Sequence, residues 1–267
     1  MIIRFSPAKV NLFFRVLSKR PDGFHEVASL YRALDFGDFI SVDFAKEDQF
    51  VSNDSSLKSD SSNLVIRARD LFRKATKITD PIAINLKKNI PIGAGLGGGS
   101  SNAATLLSAL NDLVLGPLKN DELINLSAKI GSDCPFFFSK GISFCTGRGE
   151  ILNDVDFSFK SSFWIAKPNK YSLLTLKVYE VCKPNERSNQ DPKELLESFK
   201  EGNPIFVNDL EPAAFRLIPE LEEVKQSLLD LGFSNVTMTG SGTAFICFGD
   251  VKNPSLPDIS FNFVNTI

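Results

Sequence analysis

An α+β chain of two lobes is the fold class this sequence predicts, and three observations predict it. Residues 9–16 alternate like a strand, a glycine-rich loop opens an amphipathic helix near residue 100, and strands and helices follow one another without regular βαβ alternation. At 267 residues the chain has room for one large or two medium domains. The apolar run Phe163-Trp164-Ile165-Ala166 opens the second, so the boundary is placed between residues 155 and 156.

Taken in order, Lys9 to Val16 puts apolar residues on every even position and Lys9, Asn11 and Arg15 on the odd ones, which describes a half-buried strand. At roughly 3.3 Å rise per residue, Lys9 and Asn11 then project from one face about 7 Å apart. Pro21-Asp22-Gly23 is turn chemistry, and the chain resumes at Phe24-His25-Glu26-Val27 as the far arm of a hairpin. Residues 46–63, rich in Ser, Asp and Lys, read as an exposed loop, and a helical pattern starts at Asn63. Ile82 to Leu86 is a strand. Beyond the glycine loop, Ala103, Leu106, Leu107, Leu110 and Val114 mark a helix from about Ser100 to Leu115, stopped by Gly116-Pro117. A second helix, Asp121 to Ile130, ends at Gly131 and delivers Ser132-Asp133-Cys134-Pro135. Residues 183–192 read as a polar loop, Pro219 to Leu231 as a helix, and Ala244 to Phe248 as a strand behind Thr239-Gly240-Ser241-Gly242.

Composition excludes several function classes. With 30 basic and 32 acidic side chains and no dense basic run, nucleic acid is not an expected partner. Arg4, Lys9, Asn11 and Arg15 interrupt the apolar start, so no secretory leader is expected, and no stretch reaches the roughly 18 apolar residues of a membrane span. The four cysteines are far apart with no C-x-x-C pair, which suits reduced thiols in the cytoplasm. His25 is the one histidine, so metal-hydrolase motifs have no place to form. No obligate protein partner is evident. The 24 phenylalanines are read as core.

The most informative stretch is Pro91-Ile92-Gly93-Ala94-Gly95-Leu96-Gly97-Gly98-Gly99-Ser100-Ser101-Asn102. Glycines let backbone N–H groups converge without Cβ obstruction, and the helix start behind them carries a partial charge of about +0.5. Together these make an anion site suited to phosphate. Three other readings compete. A flexible linker would not be flanked by a strand and a helix. A dinucleotide fingerprint is matched by Gly93, Gly95 and Gly98, but the nearest acid, Asp112, lies inside the helical pattern. A Walker loop needs Gly-Lys-Ser/Thr, whereas Gly99 is followed directly by Ser100.

The run P-I-G-A-G-L-G-G-G-S-S-N-A-A closely resembles the phosphate loop of the GHMP kinase superfamily, and its ending is similar to the branch that acts on 4-diphosphocytidyl-2-C-methyl-D-erythritol. S-P-A-K-V-N-L-F-F, P-D-G-F-H-E-V, G-S-D-C-P-F-F and M-T-G-S-G-T-A-F-I-C-F follow the same family in order, so the resemblance spans roughly residues 4 to 248. It implies a ribosomal protein S5 domain 2-like N-terminal lobe that binds ATP, residues 1–155. It also implies a GHMP C-terminal α/β lobe on the substrate side, residues 156–267, with substrate in the cleft between them.

Roles follow residue by residue. Asp133 reads alone as a helix cap; the resemblance makes it the catalytic base, with Lys9 converging on it. Lys9, otherwise a solvated strand lysine, becomes the group that stabilises developing negative charge. Asn11 orients substrate. His25, alone a structural histidine or a rival base, reads the cytosine edge, and Phe24 stacks on the ring where the family often has tyrosine. Thr175 and Tyr179 resemble the substrate contact and second stacking aromatic. Pro91 to Ser101 surround the phosphates of ATP, and Lys88 and Asn63 resemble positions near the adenine pocket. Mg²⁺ is implied as counter-ion, with Ser100 or Ser101 as its only suggested ligands. The implied substrate is cytidine diphosphate-linked methylerythritol. A GHMP kinase for a sugar, homoserine or mevalonate, a non-catalytic nucleotide-binding module, and a dinucleotide oxidoreductase are the alternatives.

Overall fold

The computed structural model describes residues 1–183 and 186–267, and the chain divides into two compact units. The first comprises Met1–Ala8, Phe36–Pro91 and Gly97–Gly141; the second comprises Lys9–Asp35, Ile92–Leu96 and Ile142–Ile267. Neither is a continuous stretch, because the long strands β1 (Ile2–Lys19) and β2 (His25–Phe44) contribute residues to both, and residues 142–155 group with the second.

β1 and β2 form the expected hairpin. Gly23 takes φ +86°, a conformation that costs glycine little. The amide of Gly23 donates to the Arg20 carbonyl at 3.1 Å, and that of Arg20 to the Phe24 carbonyl at 2.8 Å. The expected half-buried strand is corrected: from Ala8 to Val16 both faces of β1 are buried, Lys9, Asn11 and Arg15 included. Alternation identified the polar face, but that face is occupied by protein rather than by solvent.

In the first unit, β4 (Ile82–Lys87) pairs parallel to β3 (Gln49–Ser52) and antiparallel to Phe39–Phe44 of β2. The 46–63 segment, expected to be all loop, therefore contains a strand. Its four residues alternate exposed and half-buried, too short a run to signal itself. α1 (Leu64–Thr76) is capped by Asn63, whose side chain accepts from the Val65 amide at 3.0 Å. α2 (Gly98–Leu113), α3 (Asn120–Ala128) and a 3₁₀ turn at Pro135–Phe138 complete the unit. Ile40, Val42, Phe72, Ile84, Leu106 and Leu110 lie in its core.

α2 begins earlier than expected. Gly97 is its N-cap at φ +69°, so Ser100, Ser101 and Asn102 lie inside the first turns and do not cap the helix. Ser101 and Asn102 are instead buried, with polar partners inside the unit.

In the second unit, Ser29–Arg32 of β2 pairs with β5 (Ile142–Thr146), which pairs with β6 (Ile151–Asn153). A separate antiparallel sheet runs β10 (Ile259–Asn265), β7 (Ser162–Pro168), β9 (Phe245–Phe248), β8 (Asn235–Met238). Around it lie α4 (Thr175–Val181), α5 (Pro192–Lys200), α6 (Glu211–Leu217) and α7 (Glu220–Asp230). Phe14, Val178, Leu210, Leu221, Leu228 and Phe245 fill this core. A buried Arg15–Asp209 ion pair at 2.9 Å ties β1 to the segment ahead of α6. The expected loop at 183–192 includes Pro184 and Asn185, which lie outside the described residues; α5 begins at its last residue behind the cap Asp191. Among the described residues no helix is long and apolar enough to cross a membrane.

Candidate active site

The residues singled out in the sequence fall into two sets, one in each unit. In the first unit the N-terminus of α2 is the central feature. Its first backbone bond runs from the Ser101 amide to the Gly97 carbonyl at 2.9 Å, and no side chain caps the helix. The amides of Gly98, Gly99 and Ser100 precede that bond and have no intrahelical acceptor to reach. The first turn also carries no acidic residue. An uncapped helix start behind the left-handed Gly97 is chemically suited to an anionic phosphate.

Asp133 sits half-buried in the turn after Gly131. The neighbouring Cys134 is fully buried, its amide donating to the Gly131 carbonyl at 3.2 Å. Burial is the main cause that pushes its thiol up to about 12; the adjacent Asp133 carboxylate adds to this, while a hydrogen bond with Ser100 acts the other way. Cys134 Sγ and Ser100 Oγ lie 3.5 and 3.9 Å from where a Cβ on Gly131 would stand, so the Asp133 turn rests against the first turn of α2. Sequence placed Asp133 and the glycine loop about thirty residues apart; the fold brings them to one end of one helix.

The side chains of Ser101 and Asn102 turn inward. Ser101 Oγ lies 2.8 Å from Ser6 Oγ, and Asn102 donates to Ser6 Oγ at 2.9 Å and to Asp38 at 2.8 Å. Ser101 is 0% exposed, so its hydroxyl is committed within the protein and does not suit a metal ligand. Lys88 is half-buried with its side chain turned inward, the ammonium on Asp38 and, at 3.1 Å, on Asn102. Asn63 spends its side chain on the α1 cap and on the Lys58 carbonyl.

In the second unit Lys9 donates to Asn11 Oδ1 at 2.8 Å, and its ammonium lies 4.4 Å from the centre of the Tyr31 ring. Asn11 is held from three directions. Its Nδ2 donates to Ser29 Oγ at 2.8 Å, its amide to Thr239 Oγ1 at 2.9 Å, and its Oδ1 accepts from Lys9. The Lys9 amide also donates to the Leu96 carbonyl at 3.0 Å, and the Ala244 amide to the Ala94 carbonyl at 3.1 Å. Ala94–Leu96 is therefore fastened between β1 and the 239–244 turn. The approach is close: a Cβ on Gly95 would sit 2.1 Å from the Thr239 carbonyl oxygen.

The expected aromatics lie in this unit too. His25 and Tyr179 stack with ring centres 4.8 Å apart and planes 24° from parallel. Phe24 is 51% exposed, and the Arg148 guanidinium lies 4.8 Å from its ring centre. Thr175 at the start of α4 meets Ser241 Oγ at 2.8 Å. Burial, aided by the positive charges of Arg187 and Lys19, lowers the pKa of His25 below its ordinary value. Sequence reasoning did not find Ser29, Tyr31 and Thr239 around Lys9 and Asn11, nor Arg148 on Phe24. Each is an ordinary residue of a strand or turn, with no local signal to mark it.

Residues 63–141 match the model of the GHMP kinases N terminal domain, and residues 182–257 match that of the GHMP kinases C terminal. The 4-diphosphocytidyl-2-C-methyl-D-erythritol kinase of Protochlamydia amoebophila is 44% identical over 98% of this chain and 89% of its own. The chloroplastic kinase of the same name from Arabidopsis thaliana is 41% identical over 94% of this chain and 68% of its own. A crystal structure of 4-(cytidine 5'-diphospho)-2C-methyl-D-erythritol kinase superposes with a TM-score of 0.81 at 31% identity, covering 98% of this chain and 99% of that one. The chain is a small-molecule kinase that belongs to the 4-diphosphocytidyl-2-C-methyl-D-erythritol kinase family of the GHMP kinases.

Proposed function

We propose that the protein transfers the γ-phosphoryl group of ATP to the 2-hydroxyl of 4-diphosphocytidyl-2-C-methyl-D-erythritol, a step of non-mevalonate isoprenoid precursor synthesis. The observation that carries the choice of acceptor is the stacked His25–Tyr179 pair, with the exposed Phe24 ring next to His25 in the chain. Flat apolar rings with a neutral imidazole suit a pyrimidine, which mevalonate, homoserine and sugars lack.

The phosphates of ATP are bound by backbone amides of the Pro91–Ser101 stretch and by the start of α2. Asp133 accepts the proton from the acceptor hydroxyl as its oxygen forms a bond to the γ-phosphorus and the bond to the ADP oxygen breaks. Lys9, fixed by Asn11, offsets the negative charge that develops during transfer. Asn11 also orients the acceptor, while Thr175 and Tyr179 on α4 bind the cytidyl end with Phe24 and His25. Lys88 and Asn63 stand on the adenine side, their polar ends being engaged elsewhere. Mg²⁺ would accompany the triphosphate as its counter-ion and supply charge neutralisation there. We take residues 1–155 as the nucleotide module and 156–267 as the substrate-side module in chain order, a division on either side of which the family models fall, while Lys9–Asp35, Ile92–Leu96 and residues 142–155 group by packing with the second unit. The four free thiols suit a cytoplasmic location.

An ADP-release assay with the cytidyl diphosphate substrate, mevalonate, homoserine and galactose tests this reading. Turnover with the cytidyl compound alone is expected. Turnover with mevalonate and not with the cytidyl compound overturns it.

A further inference from the structure

A fully buried carboxylate behind α2 is used by none of the steps above. Asp38, on β2, is 0% exposed. Its Oδ1 accepts from the amides of Asn89 at 2.6 Å and Ile90 at 2.8 Å. Its Oδ2 accepts from the Lys88 ammonium and from Asn102 Nδ2 at 2.8 Å. Both oxygens are thus saturated by four donors from two elements, the 88–90 segment and α2. A carboxylate without water is stable only when such donors compensate its lost hydration.

The partners of Asp38 converge on the first turns of α2. Lys88 bridges back to Asn102 Oδ1 at 3.1 Å. Asn102 also reaches Ser6 Oγ at 2.9 Å, and Ser6 meets Ser101 Oγ at 2.8 Å. Ser101 and Asn102 directly follow Gly98, Gly99 and Ser100, whose amides lack intrahelical acceptors. A Cβ on Gly98 would lie only 3.1 Å from the Lys88 ammonium, so the ion pair sits against the back of that turn. Asn53 clamps Lys88 from outside, accepting from its amide at 2.6 Å and donating to its carbonyl at 3.0 Å. The direction of free amides depends on where the turn that bears them is held. Here it is held by polar groups in a buried site, where hydrogen bonds are directional and costly to break.

We infer that Asp38 is a positioning residue for the phosphate donor: through Lys88, Asn102 and Ser6 it fixes the first turn of α2, and with it the amides that bind the nucleotide phosphates. The inference rests on the reading of α2 as the ATP phosphate site. It makes Lys88 a half-buried member of an ion pair, acting from behind the loop.

Calorimetric titration of the whole protein with ADP, and separately with the cytidyl diphosphate substrate, tests it in Asp38→Asn and Ser6→Ala. Asp38→Asn keeps an oxygen for the Asn89 and Ile90 amides but removes the charge that holds Lys88. Loss of a hydrogen bond to a charged group predicts ADP binding about tenfold weaker in this variant. Loss of a neutral one predicts about threefold weaker binding in Ser6→Ala. Affinity for the cytidyl substrate should stay within about twofold in both, a split that general loosening of the fold would not produce. Should Asp38→Asn fail to fold, the Ser6→Ala result decides. Unchanged or tighter ADP binding, or equal weakening toward both ligands, overturns the inference. Failure of the unmodified protein to bind ADP would instead overturn the assignment of the phosphate site itself.

Discussion

The Lys9 ammonium and the Asn11 side-chain oxygen lie 2.8 Å apart on one face of a strand that is buried on both sides. A lysine in that setting is not a solvated strand residue: its neighbours Tyr31, Ser29 and Thr239 fix the site from other elements. Replacing Lys9 by methionine keeps the stem and removes the charge. The expected result is a fall in kcat of about 100-fold or more, the usual loss when one stabiliser of transition-state charge is deleted. KM for ATP should change far less. Steady-state kinetics with both substrates varied checks this, and a variant with undiminished kcat would remove Lys9 from the chemistry.

Asp133 gives the second prediction. Its turn rests against α2 at Cys134 and Ser100, so Asp133→Asn should leave the backbone in place. Without a base for the acceptor proton, kcat should fall by about 10²–10⁴, with ADP affinity within about twofold of the original. Single-turnover rates paired with ADP titration separate the two effects. An Asn variant that turns over normally would return Asp133 to a structural role.

Both residues were legible in the sequence to different degrees, for physical reasons. Period-2 alternation placed Lys9 and Asn11 together, since neighbours two apart on a strand must share a face. It could not say what covers that face, because Ser29 and Thr239 arrive from 18 and 228 residues away. Glycine density marked the loop ahead of α2, but capping rules misplaced the helix start: a left-handed Gly97 stands where Ser100 was expected. The 46–63 segment hid β3, whose four residues pair with β4 and are too few to show a period. Asp38 escaped notice altogether, because β2 also carries Glu26, Asp35 and Asp43 and nothing in the sequence marks which of these acids is buried.

The fit of Ala94–Leu96 against the 239–244 turn yields a stability prediction. Gly95 combines φ +80° with a site where a Cβ would lie 2.1 Å from the Thr239 carbonyl oxygen. Neither backbone can yield cheaply, since the Ala244 amide is bonded to the Ala94 carbonyl. Gly95→Ala should destabilise the protein by on the order of 3 kcal/mol or more, toward the severe end for single substitutions. Thermal denaturation monitored by calorimetry measures it, and an unchanged midpoint would mean the loop is not held as described.

Phe24 tests the pyrimidine reading. Arg148 covers one side of its ring while the residue stays 51% exposed, leaving apolar area for a base. Stacking one base on an aromatic side chain contributes about 1–3 kcal/mol, so Phe24→Ala should raise KM for the cytidyl substrate by about 5- to 150-fold and leave KM for ATP unchanged. Phe24→Leu, apolar but not flat, should recover little of the loss. Equal kinetics for the unmodified protein and Phe24→Ala would place the base elsewhere.

The charge state of His25 sets the last expectation. Burial disfavours the imidazolium, and the positive charges of Arg187 and Lys19 disfavour it further, so the folded pKa lies below the ordinary value of 6.5. The sign follows directly: at neutral pH the ring is uncharged, with one nitrogen to accept and one to donate, which matches the mixed edge of cytosine. KM for the cytidyl substrate should therefore stay flat as pH falls from 8 past about 6.5, and rise only below the depressed pKa, where protonation removes the acceptor. Arg187→Gln, which deletes one of the two cations, should move that rise to higher pH without abolishing it, because burial is the larger cause. A rise centred at or above 6.5 in the unmodified protein, or one indifferent to Arg187, would show that the imidazole is not held neutral by these groups.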